Sequence, residues 1–236
     1  MESLSSADQL RDGITAFEPD ARAITTVALR ADGAISMVTL EEQHAAVSRF
    51  ELAVSVPLDI RVHFETAKNL YLYAWFVYRF YPVAEQHALV TLEFALRERL
   101  APLFPEQCGP LAKKHRGLSA LFSKARKEKL ITHAGLRAVE RLACERARHR
   151  ASMQRILEME ALGLDEMEFD DSVVEPLPED YANDLLEIFA ETLPLFRNTY
   201  AHGSSMLHST VLGTFEIVTD LVNQLYPTAD ATADLG

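Results

Sequence analysis

Leu70-Tyr71-Leu72-Tyr73-Ala74-Trp75-Phe76-Val77-Tyr78-Arg79-Phe80-Tyr81-Pro82-Val83-Ala84 is the stretch on which the fold turns. It is the longest apolar run in the chain. Arg79 interrupts it, and it is too short to span a bilayer comfortably. Upstream, a helical pattern begins at about Asp59 and predicts one long helix over 59–79, stopped or kinked before Pro82 because proline disfavours helix in the residue before it. Pro82 can then open a second helix over 83–100, with an apolar stripe at Ala88, Leu92, Ala95 and Leu96. Seven of the chain's aromatics (Tyr71, Tyr73, Trp75, Phe76, Tyr78, Phe80 and Tyr81) fall within this junction. On a helix they would cover every face, which implies burial all round or burial against a partner. A base-stacking platform is the second possibility.

Downstream, 101–110 holds three prolines and a glycine and reads as a connector. A short helix over 117–130 and a long one over 135–162 follow; 138–161 has no proline or glycine and is rich in helix formers. Residues 163–179 are acidic, contain Pro176 and Pro178, and read as a loop. A helix over 181–202 carries Pro194, which bends it. Gly203 is placed to end it in a left-handed conformation. Ser204 or Ser205 can cap a final helix reaching Leu225, and Pro227 onward is a frayed tail. Upstream of the junction, 23–30 and 34–40 are β-branched runs joined by a short loop with Asp32-Gly33, a hairpin signal. Two strands cannot stand alone in water, so this hairpin must pack on something or pair across a subunit boundary. Thr39 caps a short helix, with Glu42 at capping-box spacing. The fold class is therefore mostly α: a bundle of about four long helices with a small N-terminal β-hairpin annex. The division is an N-terminal segment at 1–55, a helical domain at 56–228 and a flexible tail at 229–236.

With 48% hydrophobic residues, the 236-residue chain can bury a core of its own. Glu2, Asp8, Arg11 and Asp12 at the N-terminus read against a signal peptide. Cys108 and Cys144 lie far apart with no ligand-like neighbours and read as free thiols of a cytoplasmic protein. The net charge of −12 speaks against a general nucleic-acid binder. Its distribution is uneven. Residues 111–155 hold thirteen Lys or Arg against Glu128, Glu140 and Glu145, whereas 156–191 hold thirteen acids and no Lys or Arg. Such asymmetry means either a polyanion surface beside an acidic shield or helices that pair through complementary charge, within one chain or across a dimer.

One late segment carries chemistry: Leu193-Pro194-Leu195-Phe196-Arg197-Asn198-Thr199-Tyr200-Ala201-His202-Gly203. Asn198 and His202 are four apart and share a helix face, and Arg197 beside them is long enough to curl round. A guanidinium for bidentate oxygen contact, an amide and an imidazole titrating near neutrality suit a phosphodiester. The same residues before a glycine also make a simple helix cap.

The string Arg197-Asn198-x-x-x-His202, followed by a glycine and set between two late helices, resembles the signature of HEPN domains. Those carry Arg, four to six residues, then His, usually with a polar residue after the Arg, a place Asn198 fills. The resemblance extends over roughly 59–226, and it implies a HEPN-like helical bundle acting as a homodimer that brings two motifs together across a cleft. Active members are metal-independent endoribonucleases of toxin, defence or RNA-processing systems. By that resemblance, His202 is the acid/base catalyst for attack of a 2′-hydroxyl, Arg197 and Asn198 hold the phosphate, and Tyr200 is an auxiliary. Relatives also serve as non-catalytic dimerisation or protein-binding modules, so a cognate antitoxin or a nucleotidyltransferase-like subunit is the alternative partner to RNA.

No other constellation competes. Glu41 and His44 form one Glu-x-x-His, but a di-iron bundle needs a second copy, so no metal and no cofactor is expected. Phosphate-binding glycine loops, zinc spacings and a Gly-x-Ser-x-Gly elbow are absent from the sequence. His63, His87, His115, His133, His149 and His208 are scattered, with surface or core roles the default.

Overall fold

In the computed structural model, which describes residues 5–30, 33–108, 117–168, 170, 173–202 and 207–228, the chain begins by tying itself to the aromatic junction. Asp20 caps a short helix, α1 (Ala21–Ile24), by accepting from the Arg22 amide at 3.0 Å. The same buried carboxylate accepts from the Tyr78 amide at 3.2 Å, and the Asp20 amide donates to the Trp75 carbonyl at 2.9 Å. Burial alone would raise the Asp20 carboxyl, but the hydrogen bonds from Arg22 and Tyr78 outweigh it and hold the group below the ordinary range. Asp8 adds a second tie, pairing with Arg79 at 2.7 Å and Arg22 at 3.0 Å.

Strands β1 (Val27–Leu29) and β2 (Ile35–Met37) pair antiparallel, with Val27 opposite Met37 and Leu29 opposite Ile35. The hairpin is shorter than the sequence suggests, because the Asp20 cap draws Ala23 and Ile24 into α1. Its Asp32 lies outside the described residues; Gly33 takes the left-handed φ of 81° that the turn needs. Val27, Leu29, Ile35 and Met37 all project from one face and are each 60–75% exposed, so among the described residues the expected cover for this face is missing. Arg30 ties the hairpin to the next helix through Glu42. That helix, α2 (Leu40–Ser48), opens with the predicted capping box between Thr39 and Glu42.

Helix α3 (Leu58–Tyr73) stops six residues short of Arg79, because the Trp75 carbonyl and Tyr78 amide are engaged by Asp20 rather than by a continuing helix. Helix α4 (Phe80–Leu100) starts earlier than Pro82. The proline sits in the first turn, where its missing N–H would have no intrahelical partner. After α5 (Pro105–Cys108) come α6 (Leu118–Lys127) and α7 (Arg137–Leu162), the latter ended by Gly163 at φ 66°. Helices α8 (Leu185–Ala201) and α9 (Leu212–Leu225) complete the described chain. Gly203, Ser204, Ser205 and the 229–236 tail lie outside the described residues, and α9 begins only at Leu212. Five described helices have fourteen or more residues, against the four expected.

Helix α4 is the centre, packed by α3, α6, α8 and α9. Ala84, Ala88, Leu89, Leu92, Ala95, Leu96 and Leu100 are all completely buried, and at about 100° per residue they form one broad apolar face that includes the expected stripe. Phe215 of α9 meets Phe50 at 6.3 Å, Phe64 at 5.8 Å and Tyr71 at 6.0 Å between ring centres. The aromatic run is packing: Tyr71, Trp75 and Tyr81 are buried, Phe76, Tyr78 and Phe80 half-buried, and Tyr73 alone is exposed. Gly135 ends the turn before α7 where a Cβ would meet the Gln224 side chain at 2.3 Å, so only glycine fits without displacing it. Among the described residues no helix is long and apolar enough to cross a membrane.

Because Phe215 joins the 50s segment, α3 and α9, Phe215→Ala is expected to lower unfolding free energy by about 3–5 kcal/mol in chemical denaturation. A loss under about 1 kcal/mol would show that this ring is not a core keystone.

Candidate functional site

Helix α8 carries the Arg197–His202 segment, and its local sequence explains its placement. Asp184 caps the helix by accepting from the Glu187 amide at 2.8 Å. Leu185, Leu186, Phe189 and Leu193 then form a buried stripe at helical spacing. The helix continues through buried Pro194 for two more turns and ends where the His202 amide donates to the Asn198 carbonyl at 3.0 Å.

Those last turns split into two faces. Toward α4, Arg197 Nε lies 3.1 Å from Glu93 Oε2, an ion pair not aligned as a hydrogen bond, so both atoms are buried without hydrogen-bond partners among the described residues. Glu93 also accepts from Arg97 at 2.8 Å. Three residues on, the Tyr200 hydroxyl donates to Glu85 Oε2 at 2.5 Å. Glu85 is only 4% exposed; its other oxygen accepts from the Thr214 hydroxyl at 2.5 Å, and His208 Nε2 stands 3.5 Å away. The His208 ring is also within 2.9 Å of the Tyr200 hydroxyl. These contacts run antiparallel, from Arg197 on Glu93 to Tyr200 on Glu85.

Away from α4, Asn198 and His202 are exposed. Arg197 Nη1 reaches Asn198 Oδ1 at 3.4 Å, the long end of hydrogen bonding. Among the described residues, no hydrogen bond or ion pair engages the His202 ring. Arg197 and Asn198 are thus brought together, His202 shares Asn198's face, and Tyr200 points away into the α4 cluster.

Part of the uneven charge is paired internally. Arg126 of α6 pairs with Asp184 at 2.7 Å and with Glu187; Arg150 of α7 pairs with Asp180 at 2.5 Å, and Arg146 donates to the Asp180 carbonyl. Tyr181 donates to Glu140 at 2.9 Å. Thirteen residues of helix separate Asp184 from Arg197, about 20 Å at 1.5 Å per residue, so this pairing sits at the other end of α8 from the motif. The 113–116 cations lie outside the described residues. Cys144 is a free, half-buried thiol, Glu41 and His44 are both exposed, and no group of three or more potential metal ligands occurs among the described residues.

Sequence reasoning missed Glu85, Glu93, Thr214 and the partnership of His208. The signal was present for the carboxylates: Glu85 sits four residues before Leu89, and Glu93 four after it, on a helix otherwise apolar at those positions. No protein-family model, curated protein or solved structure matches the chain.

Burial and the Glu85 carboxylate push the Tyr200 hydroxyl up, and burial pushes both Tyr71 and Tyr226 to about 12. Their folded pKa values exceed the unfolded value of 10.0, so their contribution to stability is complete below pH 10 and is lost as pH rises toward about 12. Tyrosinate absorbance is expected to show late ionisation accompanied by unfolding in that window. All seven tyrosines titrating together near pH 10, with stability unchanged, would contradict it.

Proposed function

We propose that the chain is a HEPN-like helical domain that cleaves RNA without a metal, at a cleft between two copies. The observation that supports it is the outward face of the last α8 turn. There Asn198 and His202 stand exposed, with the Arg197 guanidinium beside Asn198 and an imidazole that makes no hydrogen bond or ion pair among the described residues. In this reading His202 takes the proton from a substrate 2′-hydroxyl, whose oxygen attacks the adjacent phosphorus. A 2′,3′-cyclic phosphate forms as the bond to the 5′-oxygen breaks, and a proton returns to that oxygen. Arg197 and Asn198 contact the non-bridging oxygens, and the ion pair with Glu93 tethers the guanidinium beside α4. The partner copy supplies the second motif and additional positive charge.

A second reading has a specific observation behind it. Arg197 is charge-compensated by Glu93, and Arg126 of the basic stretch is engaged by Asp184 and Glu187 at the other end of α8, about 20 Å away. A non-catalytic dimerisation or protein-binding module, with an antitoxin or nucleotidyltransferase-like subunit as partner, needs no free cation at the motif.

Purified protein incubated with single-stranded and structured RNA, with and without chelator, separates the two. Chelator-resistant cleavage that falls about a hundredfold or more in His202→Ala and Arg197→Ala is expected. Cleavage that persists in both variants would overturn the site, and no cleavage at all favours the binding module.

A further inference from the structure

A cleft of about 420 Å³ opens between the end of α2, α7 and the first turn of α9. Arg49, Arg137 and Arg141 line it, with Glu216 the one carboxylate among the lining side chains. It lies on a different face of α9 from Thr214, and hence from the Glu85 cluster and the motif.

The three guanidiniums are held differently. Arg137 is fixed from behind: its Nε and its backbone amide donate to the two oxygens of buried Asp220 at 2.7 and 2.9 Å. That leaves its two terminal nitrogens with no hydrogen bond among the described residues. Arg141 spends its terminal nitrogens on Glu216 at 2.9 Å and Glu145 at 3.2 Å. Arg49 is exposed, lies over the Phe50 ring at 4.8 Å, and has no carboxylate partner among the described residues. The side chains facing the cleft therefore carry a surplus of cations, with Asp220 and Glu145 set behind two of them.

The wall of the cleft adds donors. Helix α9 starts after Val211, whose side chain cannot cap it, and the Leu212 and Gly213 amides find no acceptor among the described residues. Nothing lies within 4 Å of where a Gly213 Cβ would sit, so a ligand atom can approach that backbone directly.

We propose that this cleft binds the phosphate group of a small phosphomonoester. A tetrahedral dianion accepts from several directions at once, which matches a pre-oriented guanidinium fork, a free second one and helix-terminal amides on adjoining walls. The volume lies within the range of small-molecule sites. This site is independent of the RNA-cleavage reading.

Calorimetric titration of the full chain at constant ionic strength tests it, with inorganic phosphate, adenosine monophosphate and adenosine as separate probes. Saturable binding of phosphate or of the nucleotide is expected, with none for adenosine; tighter binding of the nucleotide identifies the esterified source. Arg49→Ala, at an exposed position, is expected to weaken binding by about tenfold or more. Gly213→Asp is expected to abolish it while favouring the helix, since a carboxylate suits the first turn. Heat that does not saturate, equal binding of adenosine, or affinity unchanged in both variants (an adventitious ion only) would overturn the proposal.

Discussion

Two carboxylates buried on the central helix, Glu85 and Glu93 of α4, constrain everything around the candidate site. A buried charge without partners is among the costliest features a fold can carry, so neighbouring elements must bring donors to it. Helix α8 brings two, Tyr200 and Arg197, and the first turn of α9 adds Thr214. At about 100° per residue, Arg197 and Tyr200 lie about 60° apart, while Asn198 and His202 lie about 40° apart on the other side of the helix. Satisfying the α4 carboxylates thus turns Asn198 and His202 outward. The motif's exposure follows from the demands of α4, with Arg197 at the boundary between the two roles.

The same logic accounts for the charge pattern. A chain of net charge −12 with a strongly basic middle would be awkward if its basic helices stood alone. The acidic segment that follows them supplies partners to α6 and α7 through Asp180, Asp184 and Glu187. Two further α7 cations, Arg137 and Arg141, instead line the cleft with Arg49 beside the start of α9.

Elements governed by local chemistry were legible in the sequence. The Thr39–Glu42 box, the proline in the first turn of α4 and Gly163 after α7 each act within a turn of the residues that reveal them. Elements governed by distant partners were not. The early end of α3 is decided by Asp20, 58 residues before the Tyr78 amide it binds. The hairpin was visible as two β-branched runs, but its trimming by the α1 cap and the exposure of its apolar face belong to tertiary structure. At the site, the shared face of Asn198 and His202 followed from spacing. The inward commitments of Arg197 and Tyr200 depend on two glutamates on another helix, and nothing in the local spacing of α8 encodes them.

A double-mutant cycle between Glu85→Gln and Tyr200→Phe, read by chemical denaturation, tests most directly whether the α4 carboxylates anchor α8. Both substitutions preserve shape, and the hydroxyl–carboxylate contact they remove is largely shielded from solvent. A coupling energy of about 1–3 kcal/mol between the two positions is predicted. Additive effects, with coupling under about 0.5 kcal/mol, would mean that α8 takes its orientation from its apolar stripe alone and that Glu85 does not hold it.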